Sequence, residues 1–240
     1  MSDAKNRLPQ RVLIVIPAYH EEETIREVVQ GVHRHVPGAT VVVVNDGSTD
    51  GTEAAAREAG AVVLTLPFNL GIGAAMQTGY RYADEEGFDI AIQVDGDGQH
   101  LPSEIPILLE ELGRGTDLAI GARFLGRGDY DPPVLRKLGI RFFSFAVSTL
   151  VGRRFHDTTS GFRAANRRVV ESFSRYYPYD YPEPEAILIL SRAGFAVREV
   201  PARIQEREGG RSSITLRKSV YYLLKVFLAL AVGRFRAPPD

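Results

Sequence analysis

Two aspartates and a glutamine at every second position, Asp95, Asp97 and Gln99 in QVDGDGQH (93–100), are the groups in this chain best suited to chemistry. In an extended segment this alternation puts the three side chains on one side. Gly96 and Gly98 leave the other side bare, so a bulky ligand can approach the backbone. Hard oxygen donors at a strand end suit Mg²⁺ or Mn²⁺, a cation that takes its remaining ligands from a substrate phosphate. The alternative is a surface turn, because Asp-Gly pairs also mark hairpins. The repeated pair, and the apolar run from Phe88 to Val94 that leads into it, favour the metal reading.

Two further polar clusters follow apolar runs in the same way. Val12–Ile16 (VLIVI) opens into Pro17–Glu22, and Thr40–Val44 (TVVVV) opens into Asn45–Asp50. Asp46 is suited to accept hydrogen bonds from a ribose or a base. Ser48, Thr49 or Asp50 is suited to cap a helix over Thr52–Ala59. The turn at Gly71 and Gly73 opens another helix and can present N–H groups to an anion. A full dinucleotide fingerprint and a Walker-A lysine are both missing, which disfavours hydride transfer and P-loop chemistry.

The elements that must position these clusters alternate along the chain. A helical stripe (Ile25, Val28, Val29, Val32, Val36) follows the first strand and stops at Pro37-Gly38. Ala61–Leu66 reads as a third strand and Ile72–Ala83 as a third helix. Ser103–Leu112 reads as a helix started by Pro102, and Leu118–Gly121 as a strand ending in Ala122-Arg123. Beyond a loop at 126–133, Val134–Leu150 is apolar with a basic face that includes Arg136, Lys137 and Arg141. Asp157–Arg163 (DTTSGFR) reads as a polar turn, Pro182–Arg192 as a helix, and Ala196–Ile204 as the last strand. Continuous apolar strands separated by helices define an α/β chain with a mostly parallel, Rossmann-like sheet flanked by helices. In such sheets ligands sit beyond the carboxyl ends of the strands, where all three clusters fall.

Composition narrows the class. The chain has 240 residues, 44% of them hydrophobic, enough for one large domain with an appendage. It contains no cysteine, which excludes disulfides and thiolate chemistry and fits a reducing compartment. Residues 1–10 are polar and show no signal peptide. The net charge of −1 gives no sign of a nucleic-acid partner, but the balance is uneven: residues 206–240 carry +4 and the rest −5. Within this tail, Val220–Val232 would measure about 20 Å as a helix, against a hydrocarbon core of about 30 Å. With basic residues before and after it, the segment suits an amphipathic helix on an anionic membrane surface. A core helix or an oligomer interface is the alternative. The division expected is a catalytic domain at 1–205 and a membrane-interface segment at 206–240.

Six motifs in order carry a resemblance: IPAYHEEETI (16–25), VVNDGSTDGT (43–52), NLGIGAAMQTGY (69–80), VDGDGQH (94–100), GARF (121–124) and TTSGFRA (158–164). Together they resemble family 2 glycosyltransferases of the GT-A fold, and within them the dolichyl- or polyprenyl-phosphate sugar synthases of the dolichyl-phosphate mannosyltransferase type. The resemblance runs from about Val12 to about Ile214. It implies an inverting, metal-dependent hexosyltransferase that moves a sugar from a UDP- or GDP-linked donor to a polyprenyl or dolichyl monophosphate, supplying glycoconjugate or cell-wall synthesis. By the same resemblance Pro17, Ala18, Tyr19 and Glu21 frame the nucleotide base, and Asp46 lies near base and ribose. Asp95 and Asp97 form the donor site, with Gln99 joining Asp97 at Mg²⁺ or Mn²⁺. Arg123 lies near phosphate, Arg136 contacts the acceptor phosphate, and Ser160, Arg163, Arg207 and Arg211 line the acceptor side.

The residue chemistry agrees with that role. A metal at Asp97 and Gln99 would neutralise charge on a departing nucleoside diphosphate. A phosphate acceptor is already anionic and needs no strong general base, so His100 reads as a structural residue of the turn. Arginines suit the acceptor because a guanidinium grips phosphate bidentately. Glu183 and Glu185 suit either a contact to the sugar or a helix N-terminus. A soluble or polysaccharide acceptor on the same fold is the alternative, although the lack of any tryptophan speaks against a processive polymer synthase. A sugar nucleotidyltransferase is disfavoured because PAYHEEE is acidic where a basic phosphate loop is needed. The expected location is cytoplasmic, peripheral on the membrane surface, with a membrane protein or a second copy as further candidate partners.

Overall fold

Five apolar runs form strands where the sequence places them: β1 (Val12–Ala18), β2 (Thr40–Asn45), β3 (Val62–Thr65), β4 (Ile90–Gln93) and β5 (Leu118–Ala122). The computed structural model describes residues 10–125, 134–179 and 182–205, with the side chains of 134–136 outside that description. β1 pairs in parallel with β2 on one side and β4 on the other, and β3 continues the sheet beyond β2. β6 (Arg163–Asn166) runs antiparallel between β4 and β5, and β7 (Val197–Pro201) pairs in parallel with β5. The order is β3-β2-β1-β4-β6-β5-β7.

Among the described residues, seven α-helices cover the sheet: α1 (Ile25–His35), α2 (Thr52–Glu58), α3 (Ile72–Glu85), α4 (Ile105–Gly113), α5 (Val134–Val151), α6 (Arg167–Arg175) and α7 (Pro182–Arg192). Alternate residues of β1 face opposite layers. Leu13 and Val15 join Met76, Tyr80, Phe143, Phe173 and Ile187 in one core. Ile14 and Ile16 join Ile25, Val29, Ile105 and Leu108 in the other. Burying each such side chain contributes about 1.5–3 kcal/mol. A strand covered on both faces has no polar face to show, which is why β1 and β2 read as unbroken apolar runs.

The structure adds two elements to the sequence reading. β6 (RAAN) is four residues long, begins with arginine and carries only small apolar groups, so it lacks a strand's usual signature. α6 follows with no intervening loop, because the Asn166 side chain accepts the Val169 N–H at 3.1 Å and caps the helix. Two expectations are corrected. The N-cap of α2 is Gly51, not Ser48, Thr49 or Asp50; Asp50 instead accepts the Thr52 N–H at 3.1 Å. The expected polar turn at 157–163 is a buried strap: Asp157, Thr158, Ser160, Phe162 and Arg163 are all sealed from solvent. Its charged groups and the Ser160 hydroxyl are bonded inside the protein, as described below, while the Thr158 hydroxyl is buried with no hydrogen-bond partner among the described residues.

β5 and β6 are antiparallel neighbours, with Ile120 opposite Arg163 and the Gly121 N–H donating to the Phe162 carbonyl at 2.8 Å. The stretch from 123 to 162, which includes α5, is therefore one long excursion that leaves and re-enters the sheet at a single edge. Among the described residues no helix is long and apolar enough to cross a membrane. The expected interface segment at 206–240, with Arg207 and Arg211, lies outside the described residues.

Candidate active site

The carboxyl ends of β2, β1 and β4 are adjacent in the sheet, so topology alone brings the three polar clusters together. Side chains then stitch their loops. The His20 N–H donates to Ser48 Oγ at 3.0 Å, and the Glu21 N–H to Thr52 Oγ1 at 2.9 Å. Gly51 donates its N–H to Glu22 Oε2 at 2.7 Å. Thr24 Oγ1, at the start of α1, donates to the Gly96 carbonyl at 2.7 Å and ties that helix to the loop after β4. His20 holds a left-handed backbone (φ 56°), an uncommon state for a residue other than glycine, and stacks on Tyr19 with ring centroids 4.1 Å apart. Tyr19 is 45% exposed and offers an aromatic face at the lip of the cleft.

Asp95, Asp97 and Gln99 all keep part of their surface accessible. The Asp95 backbone N–H donates to Nδ1 of buried His100 at 3.0 Å, which leaves the imidazole proton of a neutral ring on Nε2, 3.6 Å from Asp95 Oδ2. Gln93 Nε2 donates to the other oxygen, Oδ1, at 3.2 Å. His100 thus holds Asp95 from below, the structural role its position in the turn suggests. Asp97 Oδ1 accepts the Gln99 N–H at 3.0 Å, which fixes the turn between the two candidate metal ligands. The Gln99 carbonyl in turn accepts the Gln205 N–H at 2.9 Å, and His100 forms a β-bridge with Ile204.

Asp46 is 4% exposed, and both its carboxylate oxygens are engaged within the protein. Oδ1 accepts the Leu70 N–H at 2.7 Å and Oδ2 the Gly71 N–H at 2.8 Å. The glycine turn before α3 does present N–H groups to an anion, and that anion is Asp46. Gly47 makes this approach possible: its φ is +71°, and a Cβ there would lie 2.6 Å from the Phe68 backbone. Asp46, expected near base and ribose, serves here as an internal anchor for the loop after β3.

The basic residues of the GARF and TTSGFRA motifs are also turned inward. Arg123 forms a buried bidentate pair with Asp157, Nε to Oδ2 at 2.7 Å and Nη2 to Oδ1 at 2.6 Å, and Nη2 also donates to Thr159 Oγ1 at 2.8 Å. Ser160 Oγ donates to the Gly121 carbonyl at 2.6 Å. Arg163 donates to three backbone carbonyls: Ser160 from Nε (2.7 Å), Glu183 from Nη1 (2.9 Å) and Thr158 from Nη2 (3.0 Å). Arg123, Ser160 and Arg163, expected on the acceptor side, are all engaged within the protein here. They fold the strap and fasten it to the sheet and to α7. Glu199 on β7 completes the clamp by accepting the backbone N–H groups of His156 and Asp157 at 2.9 and 2.6 Å. Arg136 has its backbone in α5 and its side chain outside the described residues.

The strap meets the donor loops at one point. A Cβ on Gly161 would lie 2.7 Å from Gln93 Nε2 and 3.2 and 3.3 Å from the two Asp95 carboxylate oxygens. Any side chain there would have to push the Gln93 amide or the Asp95 carboxylate aside. Close by, at the first turn of α7, burial pushes the Glu183 carboxyl above its usual 4.5; Arg163 opposes the shift and the charge of Asp95 adds to it.

Sequence reasoning missed Asp157, Glu199 and Gly161 as parts of this arrangement. Asp157 lies 34 positions from the arginine it neutralises, and no spacing rule links them. Gly161 was visible only as a letter within a motif.

A model of the family described as glycosyl transferase family 2 matches residues 13–173. A polyprenol monophosphomannose synthase of Mycolicibacterium smegmatis is 34% identical over 225 residues, covering 87% of this chain and 83% of that protein. An undecaprenyl-phosphate mannosyltransferase of Micrococcus luteus is 31% identical over 217 residues, covering 85% and 88%. Among solved structures, the glucosyl-3-phosphoglycerate synthase of Mycobacterium tuberculosis, in complex with Mn²⁺, UDP-glucose and phosphoglyceric acid, has a TM-score of 0.73 at 23% identity, covering 96% of this chain and 81% of that one; that likeness carries the fold. With the family match spanning all but the last of the strands and loops that build the donor edge, the chain belongs to glycosyl transferase family 2 and is a glycosyltransferase of the GT-A fold.

Proposed function

We propose that this enzyme transfers a hexose, with inversion, from a nucleotide sugar to a polyprenyl or dolichyl monophosphate at the membrane surface, on its cytoplasmic face. The observation that carries the reading is the similarity, over more than four fifths of the chain, to two proteins named for mannosyl transfer to such lipids. The site supports it. Tyr19, half exposed beside Pro17, Ala18 and Glu21, offers a stacking face for the base. Asp95, held by His100 and Gln93 with part of its surface accessible, is the residue we assign to the donor's diphosphate and sugar.

Asp97 and Gln99 would hold the divalent cation. They are partly exposed oxygen donors two residues apart, on a turn braced by their own hydrogen bond. Among the described residues no three His, Asp or Glu side chains converge as a metal cage. That suits an ion such as Mg²⁺, which is held by one or two protein oxygens plus water and substrate phosphates. When bound, the cation supplies charge neutralisation on the departing diphosphate. The acceptor phosphate attacks as an anion, so no side chain need take a proton from it. With Arg123 and Arg163 committed to the strap, the grip on the acceptor phosphate falls to Arg136, Arg207 and Arg211.

The test is a panel of labelled UDP- and GDP-sugars offered with polyprenyl phosphate, with Mg²⁺, with Mn²⁺ and with chelator. The expected result is a lipid-linked sugar formed from one donor and lost with chelator. Label found only in water-soluble acceptors overturns the lipid assignment. Transfer that survives chelation overturns the metal site.

A further inference from the structure

We propose that His20 is a positioning residue for the donor's nucleobase: its ring covers one face of Tyr19 and locks that side chain to the loop after β2, leaving the other face as a preformed stacking platform. The proposal rests on the reading of Pro17, Ala18, Tyr19 and Glu21 as the base-framing edge and gives a role to the residue between Tyr19 and Glu21. In an extended chain, adjacent side chains point to opposite faces, so two neighbouring rings stack only if the backbone turns between them. It turns at His20, whose φ of 56° lies in the left-handed region. The Tyr19 and His20 rings then stand 4.1 Å apart with 22° between their planes. Both residues are exposed, so this stack is not a core contact.

A left-handed backbone at a residue with a Cβ persists only where the surroundings enforce it, and such positions concentrate at ligand clamps. Here one loop does the enforcing. The His20 N–H donates to Ser48 Oγ at 3.0 Å, and the ring's Nε2 accepts the Thr49 N–H at 3.2 Å, which places the proton of a neutral imidazole on Nδ1. On the following residue, the Glu21 N–H donates to Thr52 Oγ1 at 2.9 Å. The loop is itself fixed, because the Ser48 N–H donates at 3.1 Å to Oδ1 of buried Asn45 at the end of β2. Sheet, loop, imidazole and phenol ring thus form one chain of contacts whose last member is the half-exposed Tyr19. A ring ordered on folding loses little freedom when a ligand stacks on it, which is how preorganisation raises affinity.

Location selects the base rather than the diphosphate. Along the carboxyl edge the strands run β2, β1, β4; the Tyr19–His20 pair is tied to the β2 loop, while Asp95 and Asp97 follow β4 on the far side of β1. Every base has a π-face, so the platform supports uracil and guanine alike and leaves the choice between them to polar groups at the base edge.

The test measures binding of UDP and of GDP to the full chain by calorimetry in the presence of Mn²⁺, with pyrophosphate as a probe that has a diphosphate and no base. For whichever nucleotide the parent binds, His20→Ala should weaken affinity about five- to tenfold and leave pyrophosphate affinity within about twofold. With the matching nucleotide sugar, KM should rise by the same factor while kcat holds, the mark of uniform binding. In a Tyr19→Ala background, adding His20→Ala should cost less than about twofold, because His20 acts through Tyr19. His20→Asn tolerates the left-handed backbone and keeps an acceptor for the loop, which guards against local misfolding, and it should recover only part of the loss. Unchanged nucleotide affinity in His20→Ala overturns the proposal, as do an equal loss for pyrophosphate, independent losses in the double variant, or full recovery in His20→Asn. A parent chain that binds neither nucleotide overturns the donor reading and this proposal together. Nucleotide binding that behaves as expected, while no sugar reaches polyprenyl phosphate, leaves the platform standing and removes the acceptor assignment.

Discussion

The loops after β1, β2 and β4 and the strap between β5 and β6 carry the same kinds of charged residue and use them in opposite ways. At the donor loops, Asp95, Asp97 and Gln99 keep accessible surface at the carboxyl edge. In the strap, Arg123, Asp157 and Arg163 are buried and bonded to each other or to the backbone. Burial separates ligand from framework where residue type cannot: a charge removed from water must be satisfied within the protein, and one left at the edge remains available to substrate.

This contrast can be broken by variants that swap the two behaviours. Arg123→Ala should have the largest effect, because it strands a fully buried Asp157; a loss of about 3–5 kcal/mol in urea denaturation is expected. A change within about 0.5 kcal/mol, typical of a surface site, would mean that Arg123 is not part of the framework. Asp97→Ala should show the reverse signature. Its kcat should fall by about 10²–10³-fold, equivalent to about 2.7–4 kcal/mol, if it holds the charge-neutralising cation. Its stability should move by no more than about 1 kcal/mol, the value of its hydrogen bond to Gln99. Stability falling as far as activity would place Asp97 with the strap.

Gly161→Ala probes the point where the two regions touch. The added methyl must displace Gln93 or Asp95, so a loss of about 1–3 kcal/mol should accompany weaker donor binding. An unchanged KM for the nucleotide sugar would disconnect the strap from Asp95. The smallest effect is expected from pH. A carboxyl whose folded pKa lies above its unfolded one favours the folded chain while protonated; its contribution is complete below about 4.5 and is lost as pH rises through the folded value. The urea midpoint of the parent chain should therefore fall relative to Glu183→Gln as pH rises above that point. Parallel curves would show that the Glu183 carboxyl is not held in a buried setting.

Much of the donor half was legible in the sequence. β1 and β2 announce themselves as apolar runs because both faces are covered, and the polar residues that follow them must lie at the carboxyl edge. The strap was legible as a motif and illegible as a structure. Nothing in DTTSGFR states that Thr158 and Ser160 face inward, since the Ser160 hydroxyl bonds to the carbonyl of distant Gly121 and the Thr158 hydroxyl has no partner among the described residues to betray its burial. β6 escaped notice because its register comes from β4 and β5 on either side rather than from its own four residues. Asp46 shows a subtler limit. An acid after a parallel strand suggests a nucleotide, and the same carboxylate serves equally well to anchor a neighbouring loop through two N–H groups.

The excursion from 123 to 162 begins and ends on adjacent strands, clamped across the Ile120–Arg163 register. The part of it that precedes the strap can therefore change without disturbing the order of the sheet, while the strap itself, whose Gly161 abuts Asp95, must be kept. In evolutionary terms the segment ahead of the strap is an interchangeable cassette: an enzyme of this plan can acquire a new acceptor by exchanging one contiguous stretch while the strap and the donor loops are inherited intact. For the engineer, such a graft must leave Arg123 and the strap from His156 to Arg163 in place, since Asp157 pairs with Arg123 and Gly161 abuts Asp95.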